Sequence, residues 1–344
     1  MKILVTGGTG YIAGAVVSEL LHQSPTCEII VADRDLRAAH EVMLFQDARI
    51  ELQEFDLLNP ESFSVVLKKV NAVVHLAALN YQESFENIEM ANKVNHLGTA
   101  NFLESCIKRG VDHFIYFSTF HLYTENSFIH ENSPLKAGIL EDVVVDPALA
   151  YAHTHYLAEK HLLRYHEKGA IKGSIFRLSN AIGAPTNPYS NTWMLVCNDL
   201  CRQAVTKRNL VLKSSGIQKR NFIPIKDVAC AVYYRLFHGK DHDPFPVFNL
   251  GGDQSISILE LATIIQKKSL EVLGFTPSIE IQEKNSKEAF DFTFCSDKIK
   301  SFGFRYSHSI ESAVEDTLLF IDRVENFRGK STHEDSATLR GIGN

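Results

Sequence analysis

Several things are missing from this 344-residue chain, and each absence removes a class of function. No CxxC pair occurs among Cys27, Cys106, Cys197, Cys201, Cys230 and Cys295, which removes the common metal and redox motifs and leaves buried free thiols as the reading. No cluster of basic residues occurs either. The 35 Lys and Arg are scattered and outnumbered by 41 Asp and Glu, giving a net charge of −6, so no face suits nucleic acid or an anionic membrane. No apolar run approaches the ~20 residues needed to span a bilayer. Met1-Lys2 leads straight into a strand-like stretch, with no charged leader or cleavage site, and the expected location is the cytoplasm. Internal repeats and low-complexity blocks are absent as well.

What is present is a chain long and apolar enough, at 45% hydrophobic residues, to bury a substantial core and carry small-molecule chemistry. Short β-branched runs (Ile3-Thr6, Glu28-Ala32, Ile50-Phe55, Ala72-Leu76, Phe114-Phe117, Gly173-Arg177) read as strands. They alternate with helical patterns at Tyr11-Leu21, Glu61-Val70, Glu89-Lys108 and Ala150-His166. This predicts an α/β fold, a Rossmann-type doubly wound parallel sheet. After Gly183-Ala184-Pro185 the texture changes to loops and scattered helices, Thr192-Ala204 and Leu259-Leu273 being the clearest. The expected division is a nucleotide-binding domain over 1–177 with a returning segment at about 217–240, and a smaller lobe over 178–216 and 241–324. The stretch 325–344 is polar, Gly-containing and aperiodic, which predicts a disordered tail or a loosely docked arm.

Thr6-Gly7-Gly8-Thr9-Gly10-Tyr11-Ile12-Ala13 joins the first strand to the first helix. Its glycines let backbone N–H groups approach a pyrophosphate at the positive end of that helix. Asp33 ends the second strand, where an acid would hold the adenosine ribose 2′-OH, so NAD is favoured over NADP. Arg34 and Arg37 follow, and they are the side chains that would pair a 2′-phosphate instead.

With the glycine loop, five further segments come in a specific order: Asp56-Leu57, His75-Leu76-Ala77-Ala78, Val94-Asn95-His96-Leu97-Gly98-Thr99, Ser118-Thr119-Phe120-His121-Leu122-Tyr123 and Arg177-Leu178-Ser179-Asn180-Ala181-Ile182-Gly183. In them, over residues 1 to about 322, the sequence resembles the extended short-chain dehydrogenase/reductase family, the NAD-dependent epimerases and dehydratases of nucleotide sugars such as UDP-galactose 4-epimerase-like enzymes. The resemblance implies NAD contacts from Gly7, Gly10, Tyr11, Ile12, Asp33, Arg34, Asp56, Leu57, Leu76, Ala77, Ala78 and Asn95, and it makes the C-terminal lobe the substrate-binding one. Gly216-Ile217-Gln218-Lys219-Arg220-Asn221-Phe222-Ile223 resembles the segment whose arginine grips the substrate diphosphate. Arg220 then becomes the phosphate ligand, its planar fork matching phosphate oxygens, with Asn180 beside it. A second cationic contact is expected near Lys284-Lys287. The implied partner is a nucleotide-diphosphate sugar, and a homodimer is common in the family.

Chemistry in this family uses a Ser or Thr to hold the sugar hydroxyl, a Tyr to take its proton, and a Lys that lowers the Tyr pKa and binds the cofactor ribose. Thr119 and Tyr151 fill the first two places, but four residues after Tyr151 stands His155. The literal YxxxK match at Tyr156–Lys160 is set aside, because Pro147 and Glu159 flank Tyr151 in the family's register and Tyr156 would point about 140° away around the helix. A neutral histidine in place of a charged lysine leaves Tyr151 without the field that would lower its pKa. His153, His161 and His166 on the same helix read as surface residues, and no metal site is expected. Phe120 and His121 occupy positions where the family's dehydratases carry a carboxylate. Tyr81 and Glu83 are further candidates to face the sugar. An epimerase or a C4 dehydrogenase/reductase is the more economical reading. A 4,6-dehydratase using His121 as its acid–base group, and a catalytically impaired NAD-binding sensor, remain alternatives.

Overall fold

The computed structural model describes residues 1–123, 139–239, 243–283 and 294–338, with side chains described as far as residue 325. The first half runs β1 (Lys2–Thr6), α1 (Tyr11–Gln23), β2 (Glu28–Asp33), β3 (Ile50–Glu54), α2 (Pro60–Val66), β4 (Ala72–His75), α3 (Tyr81–Glu86) and α4 (Ile88–Ala91). It continues through a π-helical segment (Asn92–Gly98), α5 (Thr99–Lys108), β5 (His113–Thr119), α6 (Ala150–Glu167) and β6 (Lys172–Leu178). The second half comprises β7 (Asn180–Ile182), α7 (Val196–Lys207), β8 (Asn209–Leu212), β9 (Lys219–Pro224), α8 (Ile225–Phe237), β10 (Val247–Leu250), β11 (Ser255–Ser257), α9 (Ile258–Leu273), β12 (Ser278–Ile281), α10 (Asp297–Ser301) and α11 (Ile310–Thr338).

Seven strands form one parallel sheet in the order β10-β6-β5-β4-β1-β2-β3. All its strands but the edge strand β3 are buried on both faces and therefore read as continuous apolar runs, Ile3-Leu4-Val5 and Ile29-Ile30-Val31 among them. Helices α1 and α8 cover one face through Val16, Leu20, Val228 and Val232, while α2, α5 and α6 cover the other through Phe63, Phe102 and Leu162. From β1 the chain proceeds outward to β2 and β3, then returns to β4 on the other side of β1. That reversal opens a crevice at the C-terminal ends of β1 and β4, the place where open α/β sheets bind ligands. The lobe has its own core, in which α7, α9 and α11 pack through Leu200, Leu261 and Val314.

Several elements depart from the sequence reading. The helix expected over Glu89-Lys108 is divided by the π-helical segment, and Asn95 within that segment is buried. The helix expected from Thr192 starts at Val196. Strand β10, in a stretch assigned by sequence to the lobe, completes the edge of the main sheet beside β6. Such pairing depends on a partner some seventy residues distant and leaves no local pattern. Helix α11 continues to Thr338, so the aperiodic reading of 325–344 gives way over that part. Its packed half, Ala313 to Ile321, nucleates a helix that the following polar residues can propagate.

Candidate active site

At the β1–β4 crevice the glycine loop is shaped by close approach. Gly7 lies at φ +63, and a Cβ there would sit 2.8 Å from Ala77 N; one at Gly8 would sit 2.6 Å from Val31 Cγ1. Only glycine lets the loop lie this flat against β4. A cavity of about 250 Å³ opens beside it, lined by Gly7, Gly10, Asp33, Arg34, Asp56, Leu57, Leu76, Ala77 and Ala78. Nine of the residues expected to touch a dinucleotide are thus gathered in one place. Asp33 Oδ2 accepts hydrogen bonds from Thr9 N (3.0 Å) and Thr9 Oγ (2.7 Å), so the loop aims the carboxylate. Arg37 is engaged bidentately by Asp35, leaving Arg34 as the cation at the cavity rim.

Other expected cofactor residues lie outside that lining. The Tyr11 phenol donates to Gly183 O (2.8 Å), tying the start of α1 to the lobe, while Ile12 packs into the core beneath. Asn95 accepts from Leu79 N (2.7 Å) and donates to Leu79 O (3.2 Å), so it braces the backbone that follows Ala77-Ala78. His75, in the same motif, sits between Thr6 Oγ (2.7 Å) and Thr99 Oγ (3.0 Å), and burial holds its pKa down to about 3.

Thr119 closes β5 and Tyr151 opens α6, which brings their side chains together. Thr119 Oγ also accepts from His121 N (3.2 Å). Burial raises the Tyr151 pKa, against the smaller lowering effect of Thr119. His155 is buried, its ring 4.4 Å from that of Tyr151. Its Nδ1 lies 2.9 Å from the Tyr151 carbonyl oxygen. A carbonyl can only accept, so Nδ1 carries the proton. Burial holds the His155 pKa down to about 4; the ring is neutral at pH 7, and its Nε2 is an acceptor. A lysine would have presented a charged donor there. Tyr156, by contrast, packs in a satellite cluster with Leu122 and Val145, beneath the exposed Lys160.

The sugar side of the site is aromatic. Tyr81 meets His121 (5.5 Å) and Tyr151 (5.9 Å) ring to ring. Burial, then the charge of Arg220, holds the His121 pKa down to about 4. Glu83 accepts from Asn80 N in the capping box of α3 and lines the cavity beside the glycine loop. In the lobe, Asn180 on β7 donates to Asn221 O (2.9 Å) across to β9, the strand that carries Arg220. The region near Lys284-Lys287 lies outside the described residues. Along α6, His161 Nε2 lies 3.2 Å from His96 Nε2, His166 bonds the Asp243 backbone, and His153 is exposed.

Behind the site lies a buried polar network that no local motif signals. Arg177 grips Glu159 through two nitrogens (3.1 and 2.8 Å) and donates to Tyr123 Oη and Glu141 O, both at 3.0 Å. Tyr123 in turn donates to Asn249 Oδ1 (2.6 Å). These bonds join the turn that follows Thr119, helix α6, which carries Tyr151, and strands β6 and β10.

A model of the NAD dependent epimerase/dehydratase family matches residues 3–251. Among curated proteins, the chain is 24% identical over 320 residues to a putative UDP-glucose 4-epimerase of Methanocaldococcus jannaschii, covering 91% of this chain and 96% of that one. It is also 24% identical over 332 residues to a mouse dTDP-D-glucose 4,6-dehydratase, covering 92% and 87%. Among solved structures, a UDP-glucuronic acid 4-epimerase from Bacillus cereus, in complex with UDP-glucuronic acid and NAD, superposes with a TM-score of 0.77 at 23% identity. It covers 94% of this chain and 100% of its own, and that likeness is one of fold.

Proposed function

The chain belongs to the NAD-dependent epimerase/dehydratase family, and from that premise we propose that it is an NAD-dependent nucleotide-sugar epimerase or C4 dehydrogenase/reductase. The observation that carries the proposal is the pairing of Thr119 at the end of β5 with Tyr151 at the start of α6, set between the cavity at the glycine loop and the lobe strands bearing Asn180 and Arg220.

The residues present fit NAD. A cradle that any Cβ would fill surrounds Gly7 and Gly8, and the Asp33 carboxylate is aimed at the cavity by Thr9. A 2′-phosphate would meet that carboxylate with Arg37 already engaged. Bound NAD supplies a hydride acceptor, and afterwards a hydride donor, for a sugar carbon. Thr119 holds the sugar hydroxyl, and Tyr151 Oη takes its proton as the C–H hydride departs. In an epimerase the keto-sugar turns within the site and Tyr151 returns the proton. Arg220 grips the diphosphate, and His155 Nε2 accepts a hydrogen bond where the family pattern has an ammonium.

The 4,6-dehydratase alternative has less support. With its pKa near 4, His121 is unprotonated at neutral pH and cannot act as general acid, and Glu83 is committed to its helix cap. Exposed Phe85, Ile88 and Leu97 on the α3–α5 surface support a homodimer through that face. No helix among the described residues is long and apolar enough to cross a membrane. The cytoplasm is the proposed location, a reducing compartment in keeping with six unpaired cysteines.

The test is to incubate the purified protein with UDP-, GDP-, dTDP- and CDP-sugars while following bound-cofactor absorbance, with products identified by mass spectrometry and NMR. A change of stereochemistry without change of mass identifies an epimerase, and reduction of NAD with one sugar identifies C4 oxidation. Loss of water restores the dehydratase. Silence across the panel with NAD still bound leaves the sensor.

A further inference from the structure

Away from the crevice, on the outer face where α1, α8 and the turn before α11 converge, lies a set of mixed donors with no part in the chemistry above. Asp227 and Cys230 stand three residues apart on α8, and His308 comes from the turn. Each offers one donor atom, and the three atoms lie within 4.8 Å of one another. Glu19 of α1 flanks the set on the cysteine side, its Oε1 3.4 Å from Cys230 Sγ. We propose that Asp227, Cys230 and His308, completed by Glu19, form a structural divalent-metal site that prefers zinc.

Ligand type, spacing and electrostatics all bear on this. A thiolate, an imidazole and carboxylates form a donor set suited to tetrahedral zinc, whose bonds of about 2.3 Å to sulfur and about 2.0 Å to nitrogen or oxygen place neighbouring donors about 3.3–3.6 Å apart. The Cys230–Glu19 separation already matches, and His308 Nδ1 stands 2.9 Å from Asp227 Oδ1. The donor atoms of Asp227, Cys230 and His308 lie within 4.8 Å of one another, and side-chain rotation is what would bring the remaining donors to zinc-ligand spacing. Asp227 is buried and held by Ser307 N (3.0 Å) and His308 N (3.2 Å), so the site is anchored to a rigid helix. Two carboxylates face one thiol here with no compensating cation in the set. The carboxylates of Asp227 and Glu19 beside the thiol give the site a negative field that attracts a divalent ion. An adjoining cavity of about 400 Å³, lined in part by Glu19 and His308, provides the entry path. Binding exchanges the thiol proton for the metal: the S–H bond breaks, an S–metal bond forms, and the proton passes to solvent. The ion would pin the last helix of the lobe to two helices of the nucleotide-binding half.

The experiment uses the full chain, stripped with chelator and titrated with Zn²⁺ and with Co²⁺. The expected result is one equivalent bound, release of a proton, a raised melting temperature, and a cobalt spectrum combining strong tetrahedral d–d bands with near-ultraviolet thiolate charge transfer. Cys230→Ser, checked for native fold by circular dichroism, should abolish the charge transfer, and His308→Ala and Glu19→Gln should each weaken zinc by ~10-fold or more. Sugar turnover should be unchanged in Cys230→Ser. Absence of stoichiometric zinc binding in the native chain would overturn the proposal. So would an octahedral cobalt spectrum, or one that persists in Cys230→Ser.

Discussion

If the neutral ring of His155 is what limits Tyr151, replacing it with the cation it displaces should accelerate hydride transfer most where phenolate is scarcest. Among the described residues no cation lowers the Tyr151 pKa, and burial lifts it above the ordinary tyrosine value of about 10. The phenolate is therefore a trace species at pH 7, and the rate of sugar oxidation should climb about tenfold per pH unit from roughly pH 7 to beyond pH 9. The two rings are 4.4 Å apart. An ammonium placed about 6 Å from the phenol oxygen, at an effective dielectric of about 20, stabilises the phenolate by about 3 kcal/mol, or about two pKa units. Part of this is lost because the ammonium must itself be desolvated, which leaves about one to two units. His155→Lys should then raise the single-turnover rate about 10- to 100-fold at pH 7, with the two profiles converging at high pH. The assay is stopped-flow absorbance of the reduced nicotinamide across a pH series, with the nucleotide sugar that the panel identifies. A native rate that is flat between about pH 6 and 9, or a lysine variant with an unchanged profile, would refute the reasoning that makes Tyr151 the base.

Three other outcomes are expected. Asp33→Asn should weaken NAD by about 1.5–3 kcal/mol, roughly 10- to 100-fold, and narrow the preference over NADP in calorimetric titrations; equal losses for both cofactors would remove Asp33 from the selectivity. Glu159→Gln leaves the guanidinium of Arg177 buried without its counter-ion and should cost about 3–5 kcal/mol in urea unfolding, whereas a loss below about 1 kcal/mol would mean the pair is dispensable. The buried histidines His75, His113 and His155 have pKa values held down to about 3, 3 and 4 by burial. Above about pH 6.5 they are neutral whether the chain is folded or unfolded; as the pH falls toward 4 only the unfolded chain takes up protons, so stability drops by up to about 1.4 kcal/mol per pH unit for each. Urea midpoints that stay level between about pH 6.5 and 5 would contradict this.

The order of strands and helices was legible because burial on both faces of a parallel sheet leaves uninterrupted β-branched runs, and the glycine loop because close approach to Ala77 and Val31 tolerates no side chain. Thr119, Tyr151 and Asp33 stood in motifs whose spacing reflects one strand end or one helix turn. The fit of β10 beside β6 was not legible, since backbone pairing between distant segments imposes no local periodicity. Nor was the Arg177–Glu159–Tyr123–Asn249 network, whose members are far apart in sequence and are individually ordinary polar residues. The tautomer of His155 is of the same kind: the residue type could be read, but only the position of the Tyr151 carbonyl says which nitrogen holds the proton.

The edge position of β10 also governs the order in which the chain can mature during synthesis. Until Val247–Leu250 has left the ribosome, β6 has a bare hydrogen-bonding edge; until Ile225–Phe237 emerges, shortly before, the side of α1 that packs on α8 has no cover. More than two hundred residues therefore accumulate before the first helix acquires its permanent neighbour. Such a nascent chain is exposed to pairing with other strands, and shortening that interval, by circular permutation that brings α8 and β10 early, should raise the yield of native protein more than any single core substitution.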